Sequence, residues 1–554
     1  MSQKIVIVGG VAAGMSFATR YRRLNETAEI TVIEKGPYVS FANCGLPYHI
    51  SEVISDRDEL LVVDEIDLKQ HFNLNILTNH EVIKIEPNQQ EVIIKNLNQE
   101  FNLSYDKLIL ATGAKPIQLD IPGLKDHPGA FTLRDIPDMD KIINYLKQHR
   151  PQSAVVIGGG FIGLEMVENL KHLDLTVSLV EMAPQVLLPF DEEMALFAEL
   201  TLKEHGVTIF TNNHVVKLAD KKAYLNNGEV IDADLLIMAV GVLPESNLAQ
   251  EAGIKTGFKN GIVVDEKFQT SHKNIYAIGD VALVSHRITQ EPVLIPLASP
   301  ANRQGRQLAD ILSGHQKVYR GSLGTSILKL FNNTFASTGL NQRQLQDYET
   351  KAVYLFANHH VSYYPGAKEI ALKVIFNPET ETIYGAQAVG EAGVDKRIDV
   401  LATAIIAGMK VTDLQELELA YAPPFGAAKD IINYVGYVAE NVLNETTRQL
   451  PFQDLKSALK NGYQLVDTRK PAEILKTGQI ENSLEIPLGK LRENLHNLDK
   501  TKPVIVYCYS GGRSFNAERL LRQAGFEVYN LAGSFALQLL FNLTKGSDEI
   551  EMQS

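Results

Sequence analysis

The sequence predicts an α/β protein of several domains, and three observations carry that prediction. Residues 4–34 and 154–181 each read as strand, glycine-rich turn, helix and strand. A later segment, from about 325 to 440, alternates strands before turning helical, and residues 450–554 then begin a separate strand–helix alternation. A chain of 554 residues exceeds what one core serves, so three or four domains are expected. Hydrophobic content of 45% with 21% charged residues is that of an ordinary globular chain. The net charge of −13 argues against a nucleic-acid surface, while leaving room for a local basic pocket. Only two cysteines occur, in loops of different predicted domains, which makes no disulfide framework and suits a reducing, cytoplasmic setting. The first strand starts at Lys4, leaving no room for a signal peptide, and no apolar run reaches 18 residues, so no membrane association is expected. No metal is expected either.

In the first unit, Ile5-Val6-Ile7-Val8 leads into Gly9-Gly10-Val11-Ala12-Ala13-Gly14, a helix to about Leu24, and Ile30-Thr31-Val32-Ile33-Glu34. Small residues let the backbone reach a pyrophosphate at the helix N-terminus, and a carboxylate ending the second strand accepts from ribose hydroxyls. Val11 occupies the middle position of Gly-x-Gly-x-x-Gly, so a generic strand–turn–helix fits this stretch as well. The second unit fills all three positions with Gly158, Gly160 and Gly163, and places Glu181 at the ribose position. A carboxylate there pairs with a 2′-hydroxyl and repels a 2′-phosphate, favouring NADH, with NADPH the alternative.

Leu108–Ala114 and Leu235–Gly241 are apolar strands ending in small residues, and Thr270 to Asp280 reads as a strand with a terminal aspartate. With these stretches the chain resembles the pyridine nucleotide–disulfide oxidoreductase family. The resemblance implies two Rossmann-like domains, for FAD (1–150 with 243–324) and for NAD(P)H (151–242). It implies FAD contacts from Gly9, Gly10, Ala12, Gly14, Glu34, Lys35, Ala111, Thr112, Gly113, Arg134, Gly279 and Asp280, with Asp280 on the ribityl chain. The nicotinamide dinucleotide falls to Gly158, Gly160, Ile162, Gly163, Glu181 and Gly241. A plain turn role is the alternative for Asp280. Residues 325–443 resemble the family's α+β dimerisation domain, which implies a homodimer, and a connector Asn444–Gln449 follows. The closing Gly546–Ser554 is acidic and expected to fray.

Ser40-Phe41-Ala42-Asn43-Cys44-Gly45-Leu46-Pro47-Tyr48 places a cysteine in a glycine-bearing turn beside a predicted helix start, where amides stabilise a thiolate and lower its pKa. Dithiol members of the family pair two nearby cysteines. Here Gly45, Leu46, Pro47, Tyr48 and His49 follow, so the oxidised form must be a mixed disulfide, a persulfide or a sulfenic acid. The motif resembles that of coenzyme A disulfide reductases, as do Tyr363-Tyr364-Pro365-Gly366 and Tyr421-Ala422-Pro423-Pro424-Phe425-Gly426. That resemblance implies that Tyr363 and Tyr421 reach the other subunit's cysteine, in active sites shared across the dimer. Simple packing is the alternative for both. Coenzyme A is a polyanion, and the resemblance assigns it Ser16, Arg20, Arg23, Ser40, Asn43, Asn302 and Lys429. Arginines late in a helix are also favoured by its dipole alone.

Residues 450–554 resemble a rhodanese domain: Asp467-Thr468-Arg469 after a strand, Ile486-Pro487-Leu488, and Cys508 followed by Tyr509, Ser510, Gly511, Gly512, Arg513 and Ser514. Gln479-Ile480-Glu481 lacks the histidine often found there. Loop amides and Arg513 would hold a persulfide anion on Cys508, with phosphatase-type chemistry as the alternative. The whole implies an FAD-dependent NAD(P)H reductase of coenzyme A persulfide, polysulfide or coenzyme A disulfide, with Cys44 as redox cysteine and Cys508 as sulfur carrier. Two rivals remain: an NADH oxidase or peroxidase cycling Cys44 through a sulfenic acid, and a sulfane-sulfur sensor without turnover. Relatives of the first kind carry a histidine in the first glycine loop, and Gly9 to Gly14 holds none.

Overall fold

The computed structural model describes residues 2–97, 99–545 and 552–553. They form two compact units, Met1–Pro184 with Phe210–Gly324, and Gln185–Ile209 with Thr325–Ser554. The expectation for 546–554 lies outside the described residues, except for Met552–Gln553, which pair with Gln479–Ile480.

The first unit holds two parallel sheets. Lys4–Val8 lies between Glu29–Glu34 and Lys107–Leu110, and Ile275–Ala277 pairs beyond the latter. The chain from 243 onward therefore returns to complete the sheet begun at residue 4. Its contribution is shorter than the expected 270–280 strand. The Thr270 amide turns back to Ile275 O, and Asp280 sits in the 3-10 turn Gly279–Val281. In the second sheet Ser153–Ile157 pairs with Thr176–Val180 and Leu235–Met238, and Ala130–Phe131 adds to the latter.

The two glycine turns are built alike. Gly9 (φ +105°) and Gly158 (φ +106°) are left-handed, and a Cβ on either would lie 2.2 Å from Ala111 O or 2.4 Å from Ala239 O. A Cβ on Gly14 or Gly163 would lie 1.9 Å from Gly9 O or Gly158 O. No other residue type fits those positions.

In the second unit an antiparallel sheet runs Ser326–Leu330, Asn333–Gly339, Ile383–Gly390, Glu369–Phe376, Lys351–Asn358. Helices Val394–Ala407 and Ile431–Leu443 bury their apolar sides against its core. The helix Glu192–Glu204, inside the stretch expected for the second nucleotide domain, packs with this unit, while Thr208–Phe210 keeps its place at the edge of the second parallel sheet. A buried ionic cluster joins the helix there, beside the apolar contacts of Leu196. Lys373, fully buried, bonds Asp191 (2.7 Å), Gln342 (2.6 Å) and Glu193, and its ammonium lies 5.3 Å from the Tyr354 ring centre.

The C-terminal domain is a parallel sheet ordered Gln449–Leu450, Val528–Leu531, Val504–Tyr507, Gln464–Asp467, Leu484–Glu485. Its first strand opens at Gln449, so the connector ends one residue earlier than expected. Phe452, Leu455 and Leu531 share one core with Leu196, Tyr354 and Phe356, so this domain is packed onto the antiparallel sheet rather than tethered to it. Among the described residues no helix is long and apolar enough to cross a membrane, and no His, Cys, Asp or Glu cluster could hold a metal ion.

Candidate active site

Both predicted ribose carboxylates stand at the lips of their glycine turns. Glu34 accepts from the Gly10 and Gly36 amides, each at 2.9 Å. Glu181 accepts from Gly159 (2.6 Å) and Ala183 (2.7 Å). A Cβ on Gly160 would meet nothing within 4 Å, which leaves the open approach that a pyrophosphate requires. Ile162 is exposed in the first turn of the helix that follows, while Ala12 is half-buried at the start of its own helix. Gly113, Gly241 and Gly279 all take positive φ where strands end.

Arg134 and Lys35 meet on a carboxylate that sequence reasoning missed: Glu245 takes Lys115 (3.1 Å), Arg134 (3.4 Å) and Lys35 (3.5 Å). These cations hold it below the usual carboxylate range against the opposing effect of burial. The Thr112 hydroxyl fixes the same residue by donating to Glu245 O at 2.7 Å. Burial pushes Asp280 up to about 6, with Arg134 opposing. Its half-buried carboxyl is suited to bonding a ligand hydroxyl.

Cys44 lies in the 3-10 turn Asn43–Gly45, ahead of a helix of only five residues, Leu46–Ile50. The thiol is free and exposed, with Asn43 Oδ1 at 3.8 Å. The expectation of a lowered pKa is not met. Partial desolvation by the surrounding protein raises it, and the negative charges of Glu165 and Asp280 raise it further. The short helix offers too little dipole to compensate. Glu165, from helix Phe161–His172, was also missed by sequence reasoning; burial and then Glu168 push it up to about 7. Tyr48 rises to about 12, through burial first and Glu165 next.

Of the coenzyme A set, the structure brings Ser16 and Asn302 together, with Ser16 Oγ donating to Asn302 O at 2.7 Å. Ser40 takes φ +51° and its amide bonds Gly10 O, placing the Cys44 stretch against the first glycine turn. Arg20 is not a free cation: it pairs at 2.7 Å with the buried Asp310, which also binds Lys317. Arg23 lies over the Phe72 ring at 4.9 Å.

In the second unit the Tyr363 and Tyr421 hydroxyls are 3.0 Å apart, and both side chains are exposed. That hydrogen bond raises the Tyr363 pKa. Tyr364 instead sets its ring edge-on to His360, so Tyr363 is the residue of the pair that joins Tyr421. Lys429 is exposed, 6.0 Å from the Tyr437 ring centre.

Cys508 is buried at the end of Val504–Tyr507. Its sulfur accepts from Gly511 N (3.1 Å) and Ser514 Oγ (3.6 Å) where helix Gly512–Gln523 begins. Arg513 faces the sulfur and forms a two-pronged pair with Glu473 (2.6 and 2.7 Å), which holds that carboxylate down at about 2. Arg469 points elsewhere: it clamps Asp467 and stacks on Phe535, a buried brace of the domain.

Paired dinucleotide turns with a lone thiol between them define a pyridine-nucleotide-linked redox protein. Residues 3–305 match the pyridine nucleotide-disulphide oxidoreductase family, 325–430 its dimerisation domain, and 452–537 a rhodanese-like domain. The chain belongs to that oxidoreductase family, and membership implies FAD and NADH, whose sites the two turns fit. Among its relatives, the coenzyme A disulfide reductase of Staphylococcus haemolyticus is 36% identical over 445 residues, 79% of this chain and 100% of the relative. The solved structure of reduced Bacillus anthracis CoADR-RHD shares 45% identity at a TM-score of 0.97, covering 100% of this chain and 99% of that one. An NAD-dependent persulfide reductase from A. fulgidus shares 36% identity at a TM-score of 0.91, covering 97% and 100%.

Proposed function

We propose that the chain is a cytoplasmic, homodimeric reductase of sulfur–sulfur bonds, acting on coenzyme A persulfide, polysulfide or coenzyme A disulfide. The observation that carries this is the exposed, free thiol of Cys44, with no second cysteine in its stretch of sequence, combined with a second sulfur at Cys508 held by Gly511 N and Ser514 Oγ. The first glycine turn, Glu34 and Asp280 would hold FAD, which would supply the two-electron relay from NADH to a disulfide at Cys44. Glu181 disfavours a 2′-phosphate, so NADH is the preferred donor. The Cys44 thiolate attacks the substrate's sulfur–sulfur bond. With coenzyme A persulfide, attack on coenzyme A's own sulfur releases hydrosulfide and leaves Cys44 bonded to coenzyme A.

Because the free chain raises the Cys44 pKa, something must stabilise the thiolate during turnover. The exposed Tyr363–Tyr421 pair of the other subunit supplies two phenols for that and for protonating the leaving thiolate. The matched dimerisation domain supports that arrangement. Arg23 and Lys429 are the cations left to receive the coenzyme A phosphates, with Ser16, Ser40, Asn43 and Asn302 as polar partners. Cys508 accepts sulfane sulfur in the loop where Gly511 N and Ser514 Oγ donate to it, and passes it on.

The test is steady-state NADH consumption, without oxygen, by Cys44→Ser and Cys508→Ser on each substrate. Cys44→Ser should abolish reduction of all three. Cys508→Ser should spare coenzyme A disulfide and impair polysulfide. Equal loss on both substrates would contradict two separate sulfur roles, and negligible turnover by the unaltered protein would leave a sensor.

A further inference from the structure

The residue after Cys508 leaves its own domain. Tyr509 donates from its hydroxyl to Glu369 Oε1 at 3.1 Å, while its carbonyl accepts from Ala536 N at 3.0 Å. Its backbone is thus fixed by the helix Ser534–Lys545, and its side chain by the antiparallel sheet. Glu369 opens the strand Glu369–Phe376 and pairs with Asn358, so the two residues form the base of the hairpin 359–368. His359 N donates to Lys368 O at 2.8 Å, and Lys368 N to His359 Nδ1 at 3.0 Å, which keeps that base closed. The same hairpin carries Tyr363, whose hydroxyl meets Tyr421. Burial raises the Glu369 pKa, and the bond from Tyr509 works against that rise. A partly desolvated carboxylate is costly to leave unbonded, which makes the contact more than incidental.

We propose that Glu369 is a positioning residue for sulfur transfer, latching the Cys508 loop through Tyr509 to the hairpin that presents Tyr363. The loop that holds the sulfur and the hairpin that completes the reductase site are then two ends of one short element. The proposal rests on the two-cysteine reading above, and its test separates the two ideas.

Glu369→Ala removes the acceptor, whereas Glu369→Gln keeps a carboxamide oxygen that can accept from the Tyr509 hydroxyl. Glu369→Ala should lower NADH-dependent polysulfide reduction by about tenfold, the factor one charge-assisted hydrogen bond represents. Coenzyme A disulfide reduction should stay within about twofold, an effect well below one hydrogen bond. Glu369→Gln should restore most of the lost rate. Tyr509→Phe should match Glu369→Ala, and the double variant should be no worse than either, since both remove one bond. Amide exchange gives a readout independent of turnover: Glu369→Ala should speed exchange across residues 509–514 and leave the strand Gln464–Asp467 protected. Unchanged exchange, additive effects, or equal loss on coenzyme A disulfide would overturn the latch. Should Cys508→Ser leave polysulfide reduction intact while the exchange result holds, the two-cysteine reading fails, and with it the role in sulfur transfer, though the Tyr509–Glu369 tether of the loop stands.

Discussion

Lys373→Met tests why residues 185–209 join the second unit. The ammonium is fully buried and sits among Asp191, Glu193 and Gln342, under the Tyr354 ring. Asp191 and Glu193 are themselves nearly inaccessible. Methionine fills the volume but leaves two buried carboxylates without their cation, a loss of about 3–5 kcal/mol. For a unit of this size that lowers the melting temperature by about 6–9 °C. The assay is differential scanning calorimetry, with added FAD used to identify the transition of the first unit by its upward shift. Lys373 holds Glu193 below the ordinary carboxylate range against the effect of burial. A depressed carboxylate stabilises above its unfolded pKa, and that stability is lost as pH falls through the folded value. The cost of Lys373→Met should therefore be full at pH 7 and shrink below about pH 4, where carboxylates protonate even when unfolded. Adding Glu193→Gln should recover part of it. A loss under about 1 kcal/mol at pH 7, within the range of ordinary surface pairs, would show that the cluster does not hold the segment.

Other outcomes follow from the same geometry. Glu165→Gln removes a negative charge that raises the Cys44 pKa, so iodoacetamide alkylation of the cofactor-free Cys508→Ser protein should move to lower pH; an unmoved profile would deny the coupling. Gly163→Ala would put a Cβ 1.9 Å from Gly158 O and should unfold the second nucleotide sheet, read by circular dichroism and lost NADH binding. Gly160→Ala meets nothing within 4 Å and should fold normally, yet weaken NADH in a binding titration by crowding the pyrophosphate.

Much of this protein was legible in local sequence. The glycine turns could be read because φ near +105° and approaches of 1.9–2.4 Å exclude every side chain, so composition alone marks them. Cys508 could be read for a similar reason, since the Gly511 amide and Ser514 hydroxyl that donate to its sulfur come from its own following residues. Tertiary structure decided what depends on distant chain. Burial first, and then Glu165 across a long sequence separation, reverse the direction expected for the Cys44 pKa. Glu245 collects Lys35, Lys115 and Arg134, and Asp310 claims Arg20, pairings that no spacing rule announces. Asp191 and Glu193, which follow the second glycine unit in sequence, pair with the buried Lys373 about 180 residues later, a partner no local pattern announces. Backbone conformation and hydrogen bonds between near neighbours are written locally; electrostatic environment depends on everything within reach, and only the folded chain determines what that is.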